Sequence, residues 1–354
     1  MSSSPPEPAK KKTRRWPVVL FVFLLLALPA VGLGLYFGLL HHAPAAHEHV
    51  PDGTRIAMRA DGAKFFAFKP VREHLLPLVL EARDAAKSKD GNKISRVKRI
   101  EQETGIHIPM DLREVIVAST DGQAWVVLIG GKIEPGRFVS GLQKIFKEEG
   151  LDGWELKEGM LVHTLGLTLA QADDGTLIFG TTPAIARAAL PASDAPSRAP
   201  LPVDGALSFL IHEQAWSEML RLIPPLVPGT DTLRNVEQAS GHFVLSQQPR
   251  LIVRLDPKKT VAASKLATQT QNVLSNAQLA LLLVPHDLGG AKDAIRSAKV
   301  EALPAGGANH VMVTAPWSYA VLDRAIRDAA HTIRGATNLF GRPNKQPTAP
   351  RLPF

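Results

Sequence analysis

The chain has 354 residues, 41 basic and 33 acidic side chains, and no cysteine. This length suggests two domains or one large one. The absence of cysteine excludes disulfides, Cys-ligated zinc, iron–sulfur clusters, thiol catalysis and a lipid-modified N-terminal cysteine. Hydrophobic residues make up 45% and charged residues 21%, a composition that supports a packed core and excludes global disorder.

The N-terminus has the pattern of a membrane anchor. Residues 1–15 contain five basic side chains, and residues 16–40 then run without any charge. As a helix these 25 residues would be about 37 Å long, enough to cross a hydrocarbon core of about 30 Å. The positive-inside rule places residues 1–15 in the cytoplasm and the rest outside. We therefore predict a single-pass protein of the cytoplasmic (inner) membrane. We expect an uncleaved signal anchor, although Ala43-Pro44-Ala45 has the small-x-small form of a cleavage site.

Small residues recur along this predicted span. Ala30, Gly34 and Gly38 are spaced four apart, which puts them on one helix face where two backbones could approach closely. One reading is a seam for a homodimer. The other is that glycine is simply common in membrane helices.

Histidines are concentrated just after the span. His41, His42, His47 and His49 fall within the segment 41–54, which we interpret as a polar linker. Imidazoles bind Zn, Cu or Ni, so the four could hold one metal ion. The alternative is a polar spacer at the membrane interface. No other cofactor is predicted.

Two stretches with the same order of elements follow, 55–190 and 205–334. Each has a strand, helix, hairpin, helix, hairpin and helix. The first hairpins span 115–129 and 241–255, and Glu134-Pro135 and Asp256-Pro257 mark the helix starts after them. We expect the strand that opens each stretch at Lys64–Phe68 and Leu207–Ile211.

Proline-rich segments separate and end these stretches. Residues 191–204 read as a linker, and residues 335–354 as a disordered tail. Short Gly/Asp turns force antiparallel pairing. We therefore predict an α+β fold, with two related repeats that each form an antiparallel sheet covered by helices, behind one N-terminal transmembrane helix.

The stretch 50–335 resembles uncharacterised bacterial single-pass membrane-anchored proteins with a duplicated α+β extracytoplasmic domain. The resemblance rests on Asp111-Leu-Arg-Glu-Val115 before a strand and Ser297-Ala-Lys-Val-Glu301 before a strand–turn–strand. It implies the anchored, duplicated architecture. It implies no known activity and carries over no functional residue.

The search for catalytic motifs is negative. The sequence has no G-x-S-x-G elbow, P-loop, H-E-x-x-H or EF-hand loop. Beyond residue 50, 36 basic and 31 acidic residues remain, too even a balance for a nucleic-acid surface. We predict a non-catalytic, membrane-tethered module that binds a partner protein or envelope component or has a structural role. The alternatives are an envelope hydrolase whose catalytic residues are scattered in sequence, and a weak metal-binding protein.

Overall fold

The computed structural model describes residues 46–84, 96–107, 111–191, 201, 204–222, 229–282, 290–305 and 308–340. The predicted basic tail, the span 16–40, the seam of Ala30, Gly34 and Gly38, and both His41 and His42 lie outside these residues. So do residues 341–354 of the tail. Among the helices of the described ranges, none combines the length and the apolar character needed to cross a bilayer.

Twelve strands form the β-structure of the described chain. They are β1 Ile56–Asp61, β2 Leu112–Ser119, β3 Trp125–Gly131, β4 Trp154–Lys157, β5 Met160–His163, β6 Thr168–Gln171, β7 Leu177–Gly180, β8 Leu207–His212, β9 Val236–Val244, β10 Arg250–Pro257, β11 Lys299–Ala305 and β12 Ala308–Pro316.

The described chain begins with a 3-10 turn, Ala46–His49, and carries α-helices between the strands. They are α1 Gly62–Ala67, α2 Lys69–His74, α3 Leu76–Asp84, α4 Arg96–Thr104, α5 Arg137–Glu148, α6 Pro183–Ala189, α7 Glu213–Leu222, α8 Thr230–Arg234, α9 Ala263–Leu282, α10 Ala291–Arg296 and α11 Tyr319–Phe340. The predicted α+β class with antiparallel strands is confirmed.

The strands form one continuous antiparallel sheet rather than two. Their order is β11-β12-β10-β9-β8-β1-β2-β3-β7-β6-β5-β4. Strands β1 and β8 pair at the centre, with Ile56 opposite Ile211 and Ala60 opposite Leu207. A strand at the edge of a sheet presents backbone N–H and C=O groups without partners. The pairing of β1 with β8 gives hydrogen-bond partners to these groups on both strands.

The strand that opens the first stretch is Ile56–Asp61, so the prediction of a strand at Lys64–Phe68 was wrong. Residues 62–67 form helix α1, and the backbone N–H of Lys64 donates to Asp61 Oδ1 at 3.1 Å. This is an N-cap, and it satisfies a donor that the first helical turn leaves free. The buried rings of Phe66 and Phe68 then pack in a helical cluster. The local cap outweighs the β-propensity of an aromatic run.

We refer to strands β1–β7 with their helices as the first half and to strands β8–β12 with theirs as the second half. Both faces of the sheet are covered in the first half. We call the face that carries Ala57, Ile116 and Leu128 the front face, and the other the back face; successive residues of a strand alternate between them. The 3-10 turn and α6 cover the front, and α5 packs with α4 on the back. Apolar front-face residues of β1, β2, β3 and β7 exposed by 1% or less are Ala57, Ile116, Ala118, Val126, Leu128 and Ile178.

The second half packs its apolar core on the back face. Trp216 and Leu220 of α7 and Leu266 of α9 lie against back-face side chains of β9 and β12, among them Ala239 and Val311. Front-face positions of β8 to β12 belong to none of these apolar clusters. The two halves therefore cover their front faces differently.

Candidate functional site: a polar sheet face

The front face of the second half is polar, and we call it the polar face. Its register follows from the pairs Ser208–His242, Ser240–Arg254 and Arg254–Met312. The polar face consists of Ser208, His212, Gln238, Ser240, His242, Ile252, Arg254, Asp256, Lys299, Glu301, Met312 and Thr314. The apolar side chains of Leu210, which is fully buried, and Leu303, which is exposed, lie on the same face.

The polar face is open to solvent at its outer strands, whereas Ser208 and Ser240 near the centre of the sheet are 4% and 7% exposed. The Arg254 side chain is 44% exposed, and its Nε donates to Asp256 Oδ1 at 2.8 Å. Lys299 and Glu301 are exposed, and His242 and Thr314 are half-buried. The matching strands of the first half carry fully buried alanine, valine, leucine and isoleucine instead. The face therefore offers donors, acceptors and charges to a partner.

The helices that end the two halves explain this difference. Helix α6 follows β7 and folds back over the front face, where Ile185 and Ala189 join the core. Helix α11 follows β12 but packs against α1–α3 instead, with Tyr319 against Phe68. His74 Nε2 lies 3.2 Å from Asp323 Oδ1, and Arg334 bonds to Glu81 through two nitrogens, at 2.9 to 3.3 Å. Within the described residues, the second half therefore has no helix that covers its front face as α6 covers that of the first half.

Two histidines of the polar face are held in the neutral form. Burial lowers the pKa of His212, with the charge of Glu237 acting in the opposite direction. Burial also lowers the pKa of His242, against the charge of Asp204. A neutral imidazole has one donor and one acceptor nitrogen. At neutral pH these side chains therefore add mixed hydrogen-bonding groups to the face, with no positive charge.

The polar face continues inward to a buried group at the central strands. Ser208 lies opposite Arg59 of β1, and Arg59 Nε donates to Glu114 Oε1. Arg59, Glu114 and Ser208 are 8%, 1% and 4% exposed. Arg59 Nη1, Glu114 Oε2 and Ser208 Oγ are buried and have no hydrogen-bond partner in the described part of the chain. This is a polar centre with unmet hydrogen-bonding capacity at the junction of the two halves.

Two of the four predicted metal ligands, His47 and His49, belong to the described residues, and their side chains contact different groups. His49 is 2% exposed, with Nδ1 2.9 Å from the carbonyl of Ala189 and Nε2 3.0 Å from Asp174 Oδ2. His47 is 57% exposed and lies 3.8 Å from Glu114 Oε2. Within the described ranges no group of three or more His, Asp or Glu side chains could hold a metal ion. Both nitrogens of His49 are occupied by protein groups.

Three serine hydroxyls of the described chain are engaged by main-chain carbonyls. Ser119 Oγ donates to the carbonyl of Ala124 at 2.7 Å, and Ser217 and Ser297 also donate to main-chain carbonyls. A shallow cavity of about 190 Å³ lies beside α7, lined by Glu213, Trp216, Ser217, Leu220 and Arg234. It contains no histidine. The contacts of these hydroxyls are those of structural side chains.

The polar face was not among the predicted site residues, although the sequence contains a signal for it. Gln238, Ser240 and His242 alternate with Ala239, Gly241 and Phe243 in one strand. Alternation of this kind marks a strand with one buried and one solvated face. The corresponding segments 115–118 and 125–129 are apolar throughout, as expected of strands buried on both faces.

Comparison with known proteins gives a structural neighbour but no family. No protein-family model matches the chain, and no curated protein matches it significantly. One solved structure, titled "Structure of crystal form I of TP0453", is similar at 11% sequence identity and a TM-score of 0.38. The likeness covers 83% of this chain and 99% of that one.

Proposed function

We propose that this protein is a non-catalytic, membrane-tethered extracytoplasmic module that binds a partner protein or envelope component through its polar face. The observation that carries the proposal is the contrast between the two front faces. The first is apolar and covered by α6, whereas the second is polar and partly exposed, and no helix among the described residues covers it as α6 covers the first. A fold that needed only stability would gain by covering both.

The uncharged run 16–40 and the basic residues before it support the membrane tether. This arrangement would keep the N-terminus in the cytoplasm and the sheet outside. A reporter that is active only outside the cytoplasm, fused after Phe354, should be active. Activity only from a reporter that functions in the cytosol would reverse the orientation.

We also propose that the two halves arose by duplication. The strand orders β1-β2-β3-β7-β6 and β8-β9-β10-β12-β11 run outward from the centre in the same sequence, which supports this origin. The change of the second front face from apolar to polar would then be the step that created a binding surface. The additional hairpin β4–β5 would be specific to the first half.

Site-specific photocrosslinking in intact cells tests the binding surface. We would place the crosslinking residue at Glu301 or Thr314 on the polar face, and at exposed Gln143 of α5 as a control. We expect a discrete adduct from the two polar-face positions and none from Gln143. The charge reversal Arg254→Glu should reduce that adduct. Equal adducts at all three positions would contradict the assignment of the polar face.

A further inference from the structure

The start of the described chain is tied to one particular rim of the sheet. Ala46 is fully buried, and a Cβ at Gly130, near the end of β3, would lie 2.9 Å from the Ala46 Cβ. From there the chain crosses the front face until Arg55 donates its backbone N–H to the carbonyl of Ser119, at the opposite end of β2. The N-terminal end of this segment therefore marks the rim near Gly130.

Few residues separate this rim from the predicted membrane span. The span ends at Leu40, and five residues precede Ala46. A fully extended chain advances at most about 3.6 Å per residue, so the Cα atoms of Leu40 and Ala46 are at most about 22 Å apart. Strand β2 alone is about 24 Å long. The tether can therefore bring the rim near Gly130 to the bilayer surface more readily than the opposite rim of the sheet.

We infer that the rim formed by Asp61, Asp111, Lys132 and the turn 173–175 faces the lipid surface, and that the turn 120–123 points away from it. This inference rests on the proposed membrane tether. The rim is contiguous, because Lys132 donates its backbone N–H to the carbonyl of Asp111 at 2.7 Å and Gly175 packs against the carbonyl of Ile133.

The charged side chains of the rim indicate how the rim would be held at the lipid surface. The rim carries Asp61, Asp111, Asp173 and Asp174 beside Lys132, and Asp61 is paired with Arg59 and Lys64 at 3.5 and 3.7 Å. These residues provide no excess of basic side chains to draw the rim to anionic headgroups, so attraction to lipid does not position it. The short covalent tether does so instead, and lengthening the tether should release the rim.

Fluorescence energy transfer in vesicles tests this orientation on the full chain. Because the protein has no cysteine, Lys132→Cys and Gln123→Cys each give a single labelling site, and both positions are exposed. The vesicles would contain phosphatidylcholine, phosphatidylglycerol and a lipid-borne acceptor dye. We expect transfer from position 132 to exceed transfer from position 123 several-fold.

A tether variant provides the matched control. Twenty Gly/Ser residues inserted between Ala45 and Ala46 would add a mean reach of about 25 Å, and we expect the two positions to give similar, low transfer. Equal transfer from both positions in the unmodified chain, or more from position 123, would overturn the orientation. Failure of the unmodified protein to float with the vesicles would instead overturn the proposed tether.

Discussion

His49 and Asp174 join the first described turn of the chain to the turn between β6 and β7, across 125 residues of sequence. The second ring nitrogen of His49 faces the carbonyl of Ala189. The buried imidazole of His49 thus bridges a main-chain carbonyl and the partly exposed carboxylate of Asp174.

Removal of this imidazole should destabilise the fold. His49→Ala leaves the Ala189 carbonyl and Asp174 without their partner, and we expect a loss of about 2–3 kcal/mol in the free energy of unfolding. Glu48→Ala, at an exposed position of the same turn, should change it by less than about 0.5 kcal/mol. Urea denaturation of both variants measures the difference. Equal midpoints would contradict a stabilising role of His49.

The contribution of Asp174 should depend on pH. Burial opposes its ionisation, but hydrogen bonds from the backbone N–H of Thr176, from His49 and from the Thr176 hydroxyl together hold its pKa below the ordinary 3.8. A lowered carboxylate pKa stabilises the folded state above 3.8, and the contribution is lost as the pH falls through the lowered value. The stability advantage over Asp174→Asn should therefore be large at pH 7 and vanish in strong acid. An advantage that stayed constant down to pH 2 would disprove this linkage.

The histidines of the polar face should give a second pH dependence, at higher pH. His212 and His242 have pKa values lowered by burial from 6.5, so the unfolded chain binds protons more readily than the folded one. Stability then falls as the pH drops through 6.5 and levels off below the folded pKa values. The double variant His212→Gln/His242→Gln should show a flatter profile between pH 7.5 and 5. An unchanged slope would argue against neutral imidazoles on this face.

The buried pair at the central strands is open to a double-mutant cycle. Glu114→Leu alone leaves the buried Arg59 charge with only Asp61 beside it, 3.5 Å from Nη2, and should cost up to about 3–5 kcal/mol. Arg59→Met/Glu114→Leu removes both charges, and we expect a smaller loss than from Glu114→Leu alone. The comparison needs only equilibrium unfolding in urea. Arg59→Met alone completes the cycle, and a loss in the double variant equal to the sum of the two single losses would mean that the two side chains do not interact.

The predicted seam in the span can be tested by matched glycine substitutions. Gly34→Ile puts a bulky side chain on the face shared by Ala30 and Gly38 and should abolish self-association of the isolated span in a bilayer. Gly32→Ile, about 160° away around the helix, should leave association largely intact. Association that survives Gly34→Ile would rule out the seam.

Local signals in the sequence predicted the hairpins, and contacts distant in sequence decided the rest. The turn 120–123 is defined by its own residues, because Asp121 Oδ1 accepts from the backbone N–H groups of Gln123 and Ala124 at 2.8 and 2.7 Å. By contrast, the pairing of β1 with β8 and the packing of α11 on α1–α3 join segments about 150 and 250 residues apart. Periodicity gives a helix face but not the surface on which that face packs.

The candidate site likewise depends on contacts between residues that are distant in sequence. The histidine-rich segment was predicted to be a polar linker because its residues are polar, yet His49 is buried by Asp174 and Ala189, which no local pattern connects to it. The polar face depends on where α6 and α11 pack, and the sequence pattern of neither helix specifies the surface on which it packs. The surface on which each helix packs depends on the side chains that it contacts, such as Phe68 beside Tyr319.

The central pairing of β1 with β8 also has a consequence for biosynthesis. About 150 residues separate Asp61 from His212, and at roughly 5–20 residues per second the ribosome needs on the order of ten to thirty seconds to make them. During that interval β1 can pair with β2 but has nothing on its other side. A nascent chain with an open strand edge is prone to join its neighbours. Emergence of β8 ends that exposure, so slow translation through residues 191–204 would prolong the period in which newly made molecules aggregate.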